Sequence, residues 1–276
     1  MKRFNSILAG LVAAVGLLAL SSTVQAAAAS HDTKATVRSV TGEASYSING
    51  GSSWMPLHPN TELDPSAVLK TGADGQVDLQ VNGRTSTVRI VANTTMTLTK
   101  MEAAGMMGGD TETQLDIANG QVLGSVKKIS GDSTYHIGTP RGVAGIRGTD
   151  FSVQVTQQAN GSFTVTFTSV TGQVIVVANI RIAGVPTSVT KTLGTGQSWT
   201  PVDAAATLAA VNDIVQVAPE LLAALTHNIP TTITLPSSTG PPVTIKYIPP
   251  TTNPTETGGK DSNSNNSSSS SNNNTD

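Results

Sequence analysis

Cysteine is missing altogether from the 276 residues. That excludes disulfide staples, a thiolate metal site and a lipid-modified cysteine anchor, so the fold must be held by its packed core and its backbone ladders. Aromatic residues are 3% of the chain and charged residues 12%, with a formal net charge of −2. A surface that binds nucleic acid needs clustered Lys and Arg, and no such cluster occurs, so nucleic acid is not expected as a partner. The chain also lacks a P-loop, a dinucleotide fingerprint and a nucleophile elbow, which removes the usual sequence grounds for a nucleotide cofactor or a serine hydrolase. What is abundant is Gly, at 26 residues, together with Thr, Ser and Val. These suit close-packed β structure with many turns, and the length allows one or two domains.

Long apolar runs are absent except near the start. Lys2 and Arg3 precede an uncharged, largely apolar stretch from Ile7 to Leu20, and Val24-Gln25-Ala26 has the small-x-small pattern of a cleavage site. Residues 1–26 are therefore expected to be a signal peptide cut after Ala26. The apolar run is shorter than the ~20 residues of a spanning helix, and the mature chain is expected to hold no transmembrane segment. Losing Lys2 and Arg3 leaves 14 basic and 18 acidic residues, a formal charge of 14 − 18 = −4. Export without cysteine points to a bacterial protein of the periplasm, the medium or the cell surface.

From Ala35 to Trp199 short alternating segments follow one another, among them Ala44–Ile48, Val77–Val81, Val88–Ile90, Met96–Leu98 and Phe163–Phe167. Each places apolar and polar side chains on opposite faces, the mark of a strand with one buried side. Turn signals at Asn49-Gly50-Gly51, Ala73-Asp74-Gly75, Asn82-Gly83 and Ala118-Asn119-Gly120 are expected to keep the strands short. A Gly-Gln step recurs at Gly75, Gly120, Gly172 and Gly196, each time expected to open a strand, at uneven spacings of 45, 52 and 24 residues. The fold class is all-β. Both a short-stranded β-solenoid with unequal loops and a sandwich fit this pattern, and the brevity of the strands favours the solenoid.

The densest punctuation lies in His136 to Val153, HIGTPRGVAGIRGTDFSV. Glycine opens backbone conformations closed to other residues, so this density marks an exacting turn rather than a loose linker. Gly145 and Gly148 are expected to let the backbone bend and pack around Ile146, which points into the core, while Phe151 begins the next buried strand. Arg147 and Asp150, three apart, are expected to share a local charge-assisted hydrogen bond. An anion-binding surface made by Arg141 and Arg147 is the alternative.

The ordered set Val40-Thr41-Gly42-Glu43, Leu69 to Val77 (LKTGADGQV), Leu115 to Val122 (LDIANGQV) and Thr139 to Phe151 (TPRGVAGIRGTDF) resembles the FecR domain. This is a bacterial extracytoplasmic module of iron-responsive sigma-factor regulators. The likeness is strongest over 37–155, within a β domain expected at 35–199. It implies an all-β, solenoid-like fold in which Thr139, Pro140, Gly145, Arg147, Gly148, Thr149, Asp150 and Phe151 define the fold. It also implies an outer-membrane receptor as a partner. Regulatory members carry a cytoplasmic anti-sigma segment and one membrane helix. This chain begins with an export signal instead, so the expectation is a stand-alone exported FecR-domain protein.

After Trp199 the pattern changes, and residues 200–248 are expected to form a C-terminal extension. Ala204 to Val217 and Pro219 to Leu225 read as two short helices docked on the β body, and Thr231–Leu235 with Val243–Ile248 as a hairpin. Residues 249–276 are expected to be a disordered tail, since Ser262 to Asn274 holds only Ser and Asn.

No catalytic constellation emerges. His31, His58, His136 and His227 are scattered, and residues adjacent in sequence, such as Asp132, Ser133 and His136, rarely form a triad. Asp110, Glu112 and Asp116 lack the calcium-loop pattern and read as solvated carboxylates. The expectation is a non-enzymatic protein without metal or cofactor, a protein- or glycan-binding or signalling-accessory module of the envelope. Its alternative is a structural or surface-layer protein that self-assembles.

Overall fold

The computed structural model describes residues 30–81, 86–105, 109–127, 131–205 and 213–229. The expected signal peptide, the 231–248 hairpin, the tail and the Asn82-Gly83 turn lie outside them. The described part is all-β apart from one short helix.

The chain passes back and forth between two sheets. β1 (Ser30–Asp32) lies in sheet I and β2 (Ala35–Thr41) in sheet II; β3 (Ala44–Ser47) and β4 (Met55–Pro56) belong to sheet I. β5 (Glu62–Leu63) pairs with β2 in sheet II and β6 (Val68–Thr71) with β3 in sheet I. The hairpin of β7 (Gln76–Val81) and β8 (Ser86–Ile90) builds sheet II, and β9 (Thr95–Ala104) returns to sheet I. β10 (Thr111–Val126) belongs to both sheets. β11 (Thr134–Thr139) and β12 (Gly142–Ile146) form a hairpin in sheet I, β13 (Thr149–Gln157) and β14 (Phe163–Thr171) one in sheet II, and β15 (Val174–Ile182) and β16 (Val185–Leu193) one in sheet I. β17 (Gln197–Trp199) and β18 (Val215–Gln216) complete sheet II.

In space, sheet I runs β4-β3-β6-β9-β10-β11-β12-β15-β16, with β1 beside the far end of β9, and sheet II runs β5-β2-β7-β8-β10-β13-β14-β17-β18. Among the described residues every strand-to-strand ladder is antiparallel except β10 with β11. Of the two architectures that suit the sequence, the sandwich is the one formed. Hairpins reverse the chain within a sheet, so neighbours run antiparallel instead of stacking as parallel coils.

One core fills the space between the sheets. Val77, Leu79, Val88, Ile90, Val122, Phe151, Val153 and Phe167 from sheet II meet Leu69, Met96, Leu98, Leu115, Ile137, Ala144, Ile146 and Val176 from sheet I. Alternation along each strand selects these side chains, as the sequence pattern predicts. Ile146 and Phe151 are both buried there, as expected.

β10 departs from expectation. Ala118-Asn119-Gly120 was to be a turn ending a short strand, yet the strand continues through it for 16 residues. Up to Asn119 it pairs with β9, and from Gly120 onward with β13. Gly120 takes φ +97°, a left-handed conformation that swings the strand from one sheet into the other without breaking the ladder. The hydroxyl of Thr94 accepts the Gln121 N–H at 3.0 Å and pins the bend.

β7 and β8 are buried on both faces, not one. On the face turned away from the core, Arg89 donates to both carboxylate oxygens of Asp78 at 2.7 and 2.8 Å, and both side chains are 2% exposed or less. Ser39 adds a hydrogen bond to the same carboxylate at 3.2 Å, and Arg38 donates to the neighbouring Gln80. The expected single buried face fails because the pair neutralises charge that alternation alone assigns to solvent.

The C-terminal extension is in part sheet. Residues 206–212 of the expected Ala204–Val217 helix lie outside the described residues, but its ends are not helical: Ala204 bridges Ile182, and Val215–Gln216 is β18. Sheet II offers Gln197 and Ser198 as backbone partners, and this pairing overrides a weak helical period. The second helix forms as expected, as α1 (Pro219–Asn228) with Pro219 in its first turn. Leu222 and Leu225 dock it on Leu123, Val170 and Ile229, on the outer face of sheet II.

Gly120→Ala drives a methyl carbon into the backbone and side chain of Thr94 at a left-handed φ, and is expected to cost at least about 2 kcal/mol in chemical denaturation. Arg89→Ala strands a buried carboxylate and is expected to cost about 3–5 kcal/mol, whereas Asp78→Leu combined with Arg89→Met stays within about 1 kcal/mol of wild type. Equal losses in the single and double variants count against a buried pair.

Candidate functional site

β11 and β12 lie side by side in sheet I, and their outward positions include His136 and Gly138 on β11 and Val143 and Gly145 on β12. With two glycines among them, this part of the outer face is low. β10 forms one wall with Glu112, Gln114 and Asp116, and β15 forms the other with Ile175 and Val177. The result is a trough holding two adjoining concavities that share Thr134 and His136. One, of about 290 Å³, is lined by Gly145, Arg147, Gln173 and Ile175; the other, of about 350 Å³, by Glu102, Asp110, Glu112 and Asp132. The trough is thus cationic and apolar on one side of His136 and acidic on the other. Val143, Ile175 and Val177, 41%, 47% and 42% exposed, leave an apolar stripe along the wall.

The residues of the signature divide between bracing and exposure. Thr139 closes the β11–β12 turn across Pro140 by donating to the Gly142 carbonyl at 2.8 Å. Thr149, buried, donates to the carbonyls of Arg147 and Gln173 and accepts the Gln173 N–H, clamping the β12–β13 turn onto the start of β15. Gly148 takes the left-handed φ of +64° that this turn requires. Gly145 does not fit the expected role. Its φ is not left-handed, and an added Cβ would have nothing nearer than 3.7 Å. It keeps the trough floor low.

The expected Arg147–Asp150 hydrogen bond does not form. The Asp150 carboxylate accepts the Thr171 hydroxyl at 2.9 Å, and the Thr171 oxygen in turn accepts the Asp150 N–H. A residue opposite on the next strand outcompetes one three positions along the chain, because β13 and β14 hold Asp150 and Thr171 in register. Arg147 is left exposed on the rim of the trough, and no ion pair holds it among the described residues.

Arg141, its partner in the anion-binding alternative, is engaged. It donates to Asp203 at 2.8 Å and ties the β11–β12 turn to the segment after β17. That hydrogen bond, followed by one from the Arg181 N–H, holds the Asp203 carboxyl below its ordinary value of 3.8. The tie therefore contributes fully above that value and is lost as pH falls through the lower one in the folded chain. Across the core side of β11, burial pushes the Tyr135 phenol far above its usual range, so it stays protonated.

Ser133 and His136 border the same concavity, but the Ser133 hydroxyl is directed at Asp110 and accepts the Thr111 N–H, so no triad is assembled. The three carboxylates read as solvated are engaged separately: Asp110 by the Asp132 N–H, Glu112 by Lys100 at 2.7 Å, and Asp116 by Thr99 and Gln114. Sequence reasoning missed Thr134, Gln173 and Ile175. Alternation along β11 and β15 assigns them to an outward face, but nothing local indicates that the two strands flank one trough.

The family model described as FecR protein matches residues 67–173. The chain carries a FecR domain. The match begins at Ala67, just before β6, and ends at Gln173 on the trough wall, so it starts later and runs further than the 37–155 stretch that carries the motifs. Within this FecR domain lie the β10 bend, the Thr149 clamp and most of the trough. Two crystal structures of a candidate anti-sigma factor from Parabacteroides distasonis ATCC 8503 are similar at 12% and 13% identity, with TM-scores of 0.41 and 0.40. They cover 58% and 57% of this chain, and the chain spans 64% of theirs, a little under two thirds. No curated protein matches the chain. Among the described residues, no helix is long and apolar enough to cross a membrane.

Arg147→Ala is expected to change the unfolding free energy by no more than about 0.5 kcal/mol, the range of surface substitutions, and so to leave the melting temperature nearly unchanged. Thr149→Val, which removes a buried hydroxyl with three partners, lowers it clearly. A large loss at Arg147 would restore the bracing role that the sequence suggests.

Proposed function

We propose that this chain is a non-enzymatic, exported binding module of the bacterial envelope, periplasmic or at the cell surface. It serves signalling by holding an envelope partner in the trough of sheet I. One observation carries the reading: the arginine of the VAGIRGTDF signature stands exposed on a concave rim while its neighbours Ile146 and Thr149 are buried. A charged side chain on a rigid backbone, with no ion pair among the described residues, suits recognition better than bracing.

The exposed Val143, Ile175 and Val177 favour a protein over a glycan as the partner. Sugar rings are commonly held on aromatic faces, whereas aliphatic side chains edged by charge suit a protein surface. The opposite charges on the two sides of His136 favour a partner with both signs, which fixes its orientation. An outer-membrane receptor is the partner implied by the FecR resemblance.

Cross-linking capture from periplasmic and outer-membrane extract tests this with wild type, Arg147→Glu and Ile175→Asp in parallel. The expected result is one stoichiometric protein captured by wild type and lost from both variants, each keeping its wild-type melting temperature. Capture of the same protein by all three rules out the trough as the binding surface.

A further inference from the structure

We propose that residues 230–248 cross the outer face of sheet II as a strap and seal the buried Asp78–Arg89 pair from water. Register aligns one outward row across five strands of that sheet: Asp78 on β7, Arg89 on β8, Leu123 on β10, Ser152 on β13 and Thr168 on β14. None of the five is more than 7% exposed. An outer sheet face that meets water leaves such a row open, so a buried row has a cover. The described residues supply part of it: Ile229 packs with Leu123 and Val170, and Leu222, Leu225 and Val91 surround them. β7 and the middle of β8 lie beyond this cluster, yet Asp78, Gln80, Thr87 and Arg89 are buried there too.

The position and direction of the chain name the occupant. α1 follows β18, where the Val217 N–H donates to the Gly196 carbonyl beside β17, and leads to the fully buried Ile229 against Leu123 of β10. Ile229 has extended backbone, φ −75° and ψ 124°, so the chain leaves the helix as an extended segment, as a residue before proline prefers. β8 and β7 are the next two strands on that side. They lie within about 10 Å, a distance that about three extended residues cover.

The sequence that follows suits the place. Ile233, Leu235, Val243, Ile245 and Ile248 are interleaved with Thr232, Thr234 and Thr244, and Lys246 is the one charge. Hydroxyls meet the hydrogen-bonding needs of a polar row, while isoleucine and leucine extend the cluster around Leu123. Beyond Ile248 the chain holds no apolar side chain other than proline, which sets the end of the strap. The strap lies on sheet II and the trough on sheet I, so the two proposals stand or fall separately.

Hydrogen exchange of the full chain, read over residues 230–276 at several protein concentrations, is the first test. Amides of 231–248 are expected to exchange at least about tenfold more slowly than those of 249–276 at every concentration. Ending the chain after Ile248 is expected to leave the urea midpoint unchanged, whereas ending it after Ile229 lowers it. Ile233→Asp with Leu235→Asp in the full chain is expected to lower it too, which covers the case that the shorter chain does not fold. Equally fast exchange on both sides of Ile248 overturns the proposal. Protection that appears only as concentration rises assigns the face to a second copy and also overturns it, as does a midpoint that the double substitution does not move.

Discussion

The sandwich depends on one strand serving two sheets. β10 is hydrogen-bonded to β9 and β11 in sheet I and to β8 and β13 in sheet II, so the layers are joined along a continuous backbone as well as through side-chain packing. The transfer happens at Gly120, where a left-handed residue turns the strand and the buried Thr94 hydroxyl satisfies the backbone exposed by the turn. Close approach follows from the same geometry: Gly124, four residues on, leaves room for the ring of Phe151 from the signature. The bend thus sets where β13 begins, and through β13 where the β12–β13 turn and its clamp must sit.

Polar groups specify this fold where a chain without cysteine has no covalent staple. Arg89 and Asp78 are matched cross-strand partners with bidentate geometry, and they are correct in only one register of β7 against β8. Thr149 does the same for the junction of β12, β13 and β15, using one hydroxyl as donor and acceptor. Both groups are buried, so a slipped register would leave them unsatisfied at considerable cost.

The same rigidity prepares the surface. The turn after β12 is fixed by Gly148, Thr149 and the buried Ile146 and Phe151, and this holds Arg147 at the rim of the trough with no ion pair from its own side chain among the described residues. Recognition built on such a backbone loses little conformational freedom on binding. β16 lies on the far side of β15, so the wall of the trough is itself braced by a nine-residue hairpin ladder.

Much of this was legible in the residues. Alternation located β7, β8, β9 and β14, the Pro219 entry located α1, and the ordered glycine-rich motifs identified the FecR domain and the buried places of Ile146 and Phe151. These are local properties, set by which side chains share a face and which turns the backbone permits. Only the tertiary structure decided the rest. Asp150 pairs with Thr171 rather than Arg147, Arg141 reaches Asp203, and Asp78 and Arg89 meet inside the fold, because partners across a sheet are chosen by register and not by distance along the chain. The same holds for Val215–Gln216, which is strand because sheet II has an edge to offer, and for β10, which bends at Gly120 because two sheets are waiting on either side of it.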